Sequence, residues 1–143
     1  MTKTLIYLLI LSGLIPATLL LGLNLLGLAI ILNNGAFAFK EIIIITTCLC
    51  GICGYVGLCM LLLGKQLHHP FRVCTLLALG VSAFVVFISV EGRRPAWEWV
   101  LTIAEPDEWI ILVWPSVVAL IFLIKIAIEL LKAKLLRKQN DFH

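Results

Sequence analysis

Charged side chains are absent from three long stretches of this chain and nearly absent from a fourth. That spacing constrains the fold more than any motif. Leu5 to Leu32, Ile42 to Gly64 and Val73 to Val90 carry no charge, and Trp109 to Ile128 carries only Lys125. A helix needs about 20 apolar residues, within roughly 17–25, to cross the hydrocarbon core of a bilayer. The second and fourth stretches match that length, and the third sits near the lower limit. The first is longer than one crossing requires, and Pro16 inside it marks a site for a kink. A soluble fold is disfavoured on composition as well, because 62% apolar against 13% charged residues leaves too little polar surface to face water. The expected architecture is an all-α integral membrane protein, with residues 1–143 forming a single transmembrane domain. It is a four-transmembrane-helix bundle with spans at about 5–32, 42–64, 73–90 and 109–128, an outer loop at 91–108 and a cytoplasmic tail at 129–143.

A cleavable leader is the competing reading of the first stretch. Met1-Thr2-Lys3 resembles a basic start, and Ala36-Phe37-Ala38 has the small-x-small pattern of a cleavage site. A leader's apolar core runs only about 7–15 residues, so this stretch is expected to stay as an uncleaved helix. Basic residues then set orientation. Four spans put the N-terminus, the middle loop and the tail on one side, with Lys3, Lys65, Arg72, Lys125, Lys132, Lys134, Arg137 and Lys138. The opposite side holds Lys40, Arg93 and Arg94. The positive-inside rule predicts cytoplasmic termini in a bacterial-type inner membrane. The net charge of +3 is absorbed by that rule, and no nucleic-acid partner is expected. No repeat is evident, so an inverted-repeat transporter is unsupported.

In lipid, helices associate through small residues that let backbones approach and through a few interhelical hydrogen bonds. The second span overlaps three small-xxx-small pairs: Thr47 with Gly51, Cys50 with Gly54, and Cys53 with Gly57. The first span aligns Gly13, Ala17, Asn24 and Gly27, and the Asn24 amide is expected to face another helix. The third aligns Ala78, Ser82 and Ser89, with Cys74 and Thr75 beside them, and the fourth aligns Ser116, Ala119 and Ala127. These are the predicted packing faces.

Reactive chemistry is sparse. Cys50-Gly51-Ile52-Cys53 is a CxxC that lies near mid-bilayer, where low dielectric opposes the thiolate that redox or metal chemistry needs. Cys48 and Cys59 share its helix, and five cysteines is an odd number for a disulfide framework. A thiol-based redox or soft-metal carrier using Cys50 and Cys53 is the alternative function. His68-His69 is explained by a short turn, and no ionisable group sits at mid-span. No metal site, cofactor or catalytic residue is expected, and the chain is not expected to be an enzyme. Lys125 and Glu129 can pair at i, i+4 near the cytoplasmic edge. An oligomeric channel would need Asn24 and the serines to line a wet path.

The outer loop carries the remaining signal. Ala96 to Glu105 places Trp97, Val100, Leu101 and Ala104 on one side, extended by Trp99 and Ile103, with Glu98, Thr102 and Glu105 opposite. This predicts a short periplasmic amphipathic interfacial helix ended by Pro106, with Asp107 capping the fourth span. A structural lid over the bundle is its plainest role. Trp97, Trp99, Glu98, Glu105, Asp107 and Glu108 also make a candidate docking surface. The expected function is a small membrane accessory or interaction protein: a complex subunit, assembly factor or immunity-type protein. Its partners are membrane lipid and another membrane or periplasmic protein, or a second copy of itself.

Overall fold

The computed structural model describes residues 3–34, 39–64, 69–91, 98, 100 and 106–140. Helix α1 runs Lys3–Asn34, α2 Phe39–Leu62 and α3 Pro70–Glu91. A single helical turn, Pro106–Glu108, then leads through a π-helical turn, Trp109–Val113, into α4, Trp114–Asn140. Each of the four charge-poor stretches is one helix long and apolar enough to cross a membrane: Thr4–Asn33, Glu41–Leu62, Pro70–Val90 and Trp109–Leu135. The helices form an all-α up-and-down bundle in the ring order α1-α2-α3-α4, with α1 and α4 closing the ring. Both termini and the α2–α3 connection therefore share one end. The α1–α2 and α3–α4 connections share the other, here termed the loop end.

The core lies toward the terminal end. Phe122, Ile10, Leu61, Leu77, Val73 and Val118 are its largest fully buried side chains, and together with Ala17, Leu58, Ala119 and Ile126 they form one cluster. α2 closes there on Gly64, whose φ of 67° is a left-handed conformation that suits glycine. The Gly64 N–H donates to the Leu61 carbonyl at 3.0 Å.

Glycines set the helix spacings. At the α2–α3 crossing, a Cβ built on Gly54 would lie 2.5 Å from Gly80 Cα, and one on Gly80 2.6 Å from Gly54 Cα. The two backbones touch, as small residues permit in lipid. Gly57 continues that seam against Leu76 and Leu77, and Gly13 packs α1 on Val118 of α4. Two prolines interrupt the helix ladders. Pro16 and Pro115 are both buried, and each removes an N–H from its helix. The π-helical turn ends two residues before Pro115, where the Ile111 carbonyl lacks its α-helical donor; a locally widened helix commonly accommodates such a lesion.

The predicted face of α3 is corrected. Ala78, Ser82 and Ser89 are all exposed on the outside of the bundle, and Gly80 carries the packing instead. Ser82 and Ser89 donate to the Leu79 and Val85 carbonyls of their own helix, at 2.9 and 2.8 Å. A hydroxyl satisfied within its own helix faces hydrocarbon without an unpaired donor, so it has no need of a neighbouring helix. Thr18, Thr46, Thr47 and Thr75 donate in the same way to the residue four before. The head and tail of the fourth span add detail. Pro106 opens a helical turn, as its preset φ allows at a first helical position; the run expected to end there lies mostly outside the described residues. Asp107 thus lies inside that turn and does not precede it as a cap. The segment expected as a tail is helical to Asn140.

Candidate functional site

The bundle is closed at the terminal end and open within at the loop end. Between the four helices in that half lies a partly open cavity of about 470 Å³. Three features of the chain create it. Gly51 and Gly54 of α2 and Gly80 of α3 lie on its wall and contribute no side chain to fill it. The wall from α4 begins in the π-helical turn, at Leu112, and continues through Pro115 and Ser116. Finally, α1 covers the cavity without sealing it, because none of residues 18–33 is buried.

The cavity has a defined depth. Its wall starts at Ile44 on α2, Ile88 on α3 and Leu112 on α4. Each is three residues from a polar or amphipathic edge residue: Glu41, Glu91 and Trp109 respectively. At 1.5 Å per residue the space therefore begins about 5 Å below that edge. It reaches Gly80 on α3 and Ala119 on α4, about 15 Å below the edge by the same rise, and Ala17 on α1 and Leu58 on α2, about 25 Å below it. Half of a hydrocarbon core about 30 Å thick is about 15 Å. The cavity thus begins in the loop-end leaflet and runs past mid-bilayer along α1 and α2.

Its wall is mostly aliphatic and aromatic, with polar side chains from Asn24, Thr47, Cys48, Tyr55 and Ser116. Three of these are engaged: the Thr47 hydroxyl donates to the Ile43 carbonyl at 2.8 Å, and the Cys48 thiol donates to Asn24 Oδ1 at 3.8 Å. Asn24 faces α2 as expected, with Nδ2 lying 3.0 Å from where a Cβ on Gly51 would be. No carboxylate, histidine, lysine or arginine lines the space. A bound water requires two to four polar partners, so most of this volume is unsuited to water. Because the space is partly open, it is in contact with whatever surrounds the bundle and is not a sealed void.

The other predicted residues fall as follows. Gly13 and Ala17 are buried between α1 and α4, and Gly27 lies on the cavity wall. Gly51 meets α1, whereas Gly54 and Gly57 meet α3, so the broad small side of α2 serves two neighbours. Cys50 and Cys53 are half-buried free thiols and neither lines the cavity. No group of three histidine, cysteine, aspartate or glutamate side chains gathers among the described residues. Of the outer-loop set, Trp97, Trp99 and Glu105 lie outside the described residues, and so does most of the predicted interfacial helix. Glu98 is half-buried and has an interaction partner, Asp107 is exposed, and Glu108 ends its helical turn. The Trp109 indole donates to the Val100 carbonyl at 3.4 Å, tying that loop to the head of the fourth span.

Sequence reasoning missed three features. Gly80 has a small neighbour only in Ala83, three residues on, a spacing outside the small-xxx-small pattern, so that pattern did not announce it. Ser12 accepts a 3.1 Å hydrogen bond from the Trp114 indole while donating to the Leu9 carbonyl, joining α1 to α4. A regular stripe on α4, Ile121, Ile124, Ile128, Leu131 and Leu135, is exposed at 45–66%; its 3-4-3-4 spacing was legible but hidden among other aliphatics. No family model, no curated protein and no solved structure matches this chain.

Proposed function

We propose that this chain is a non-enzymatic interaction protein of a bacterial-type inner membrane, which binds another membrane protein through the outer face of α4. The observation that supports this reading is the stripe Ile121, Ile124, Ile128, Leu131 and Leu135. Spacing of 3 and 4 residues is the seam of a helix pair. Lipid-facing aliphatics need no such regularity, and the seam does not stop with the bundle. Ile126 is the last buried residue of α4 up to Leu135, and the helix continues to Asn140. That leaves 14 residues, about 21 Å at 1.5 Å per residue, which carry Leu131 and Leu135 beyond the core beside the exposed Lys132 and Lys134. The excess of basic residues at this end supports its placement in the cytoplasm. At the loop end, the acidic, tryptophan-rich segment 91–108 is assigned to a second, periplasmic contact.

The test is a paired change, Leu131→Ser with Leu135→Ser, in the native membrane. The variant is expected to remain carbonate-resistant while its complex on native gels collapses to the free protein. A complex of unchanged size would refute the α4 contact. Leu131→Cys adds a second readout: a disulfide-linked homodimer identifies the partner helix as another copy of this chain. The thiol carrier alternative has its own test, since replacing Cys50 and Cys53 with serine abolishes a carrier's function and leaves an interaction protein's intact.

A further inference from the structure

We propose that the loop-end cavity is a built binding site for one acyl chain of a membrane phospholipid, taken from the leaflet at the loop end. Three independent observations support that occupant. The space of about 470 Å³ is of the size of ligand pockets, about 300–1,000 Å³, and its wall offers hydrocarbon rather than hydrogen-bond partners. It starts one helical turn below Glu41, Glu91 and Trp109 and runs lengthwise between the helices, past mid-bilayer to Leu58 and Ala17, which is the path of an extended acyl chain whose headgroup stays at the polar edge. The covering element, α1, has no buried residue from 18 to 33, so a chain can enter from the surrounding bilayer. Water finds few hydrogen-bond partners along that wall. The site is separate from the α4 stripe, none of whose residues lines the cavity.

Two glycines of α1 provide a matched test. A Cβ on either Gly27 or Gly22 meets nothing within 4 Å, but only Gly27 lies on the cavity wall. Gly27→Phe therefore places a ring in the site without a backbone clash, and Gly22→Phe places the same ring outside it. The full chain is reconstituted in vesicles of phosphatidylethanolamine and phosphatidylglycerol, doped with a phospholipid bearing a diazirine midway along one acyl chain. After irradiation, adducts are mapped by peptide mass spectrometry. In the unmodified protein and in Gly22→Phe, adducts are expected on the wall residues Ala83, Phe84 and Ile88, as well as on the outward Leu79 and Val85. In Gly27→Phe the wall adducts are lost and the outward ones persist.

Adducts confined to outward residues in the unmodified protein would overturn the proposal, as would wall adducts that survive in Gly27→Phe. A parallel sample doped with a diazirine-bearing prenyl lipid separates the chemistries: wall labelling by the prenyl chain in preference to the acyl chain would also overturn it. Should Gly27→Phe fail to insert, Gly27→Leu replaces it, and the adduct map of the unmodified protein already decides the first outcome.

Discussion

Adding one methyl group at the α2–α3 crossing should separate the two helices. A Cβ on Gly54 would lie 2.5 Å from Gly80 Cα, whereas ordinary van der Waals contact begins at 3.4 Å. The obstructing atom is backbone and cannot rotate away, so the helices must part by about 1 Å. A gap of that size forfeits a quarter to a half of each contact's attraction of about 0.1–0.2 kcal/mol. The seam includes Gly57, Leu76 and Leu77, and even the 40–60 atom contacts typical of one buried leucine would lose about 2 kcal/mol. Overpacking in well-packed cores costs about 1–3 kcal/mol, which agrees. Gly54→Ala and Gly80→Ala are thus each expected to destabilise by about 2–3 kcal/mol. The assay is reversible unfolding by SDS in mixed micelles, followed by tryptophan fluorescence, with Gly22→Ala as the control because its Cβ meets nothing. The double variant should cost less than the sum of the singles, since the second methyl enters a gap the first has opened. Unfolding of Gly54→Ala at the same SDS fraction as Gly22→Ala, or strict additivity of the pair, would refute the backbone contact.

At the α1–α4 contact, Gly13→Ala directs a methyl group to 2.9 Å from Val118 Cβ and should destabilise by about 1–3 kcal/mol. Adding Val118→Ala should recover part of that loss in the same SDS titration, because the second change vacates the space. Trp114→Phe removes the bond to Ser12 and should cost about 0.6 kcal/mol and no more than about 1.7. Ser12→Ala should cost a similar amount, with the two losses not adding. Cys48→Ala should cost under about 1 kcal/mol, since a 3.8 Å thiol bond is a weak one. At the loop end, replacing both Trp97 and Trp99 with alanine should abolish recovery of a periplasmic partner while leaving insertion intact; unchanged recovery counts against that contact.

The number of long apolar helices was legible because a bilayer reads a chain by length and charge, and both are visible along the sequence. The α1–α2 face was legible for a related reason. Asn24 is the only strongly polar side chain between Leu5 and Leu32, and hydrocarbon leaves its amide few places to go; it meets Cys48 and Gly51 of α2. The face of α3 was not legible, and the reason is physical. Serine reads as interhelical glue only if its hydroxyl lacks a partner, yet in a helix the carbonyl one turn back is always within reach. Ser82 and Ser89 take that partner and turn outward, while Gly80, which has nothing to satisfy, takes the contact.

The cavity was hidden for a different reason: it belongs to no residue. Gly51, Gly54 and Gly80 were each explicable as points of close approach, and two of them, Gly54 and Gly80, do touch. Close approach at one level removes side-chain volume at the level beside it, so the same glycines that bring α2 and α3 together leave space toward α1. Whether that space closes depends on how α1 leans. Gly13 packs its first half against Val118 of α4, and after Ala17 it buries no residue as far as Asn33. If the interior of the loop-end half were meant to be dry protein, α1 would be expected to present bulk at Gly27, where a Cβ finds open space. A glycine there instead keeps the volume available to something that is not part of the chain.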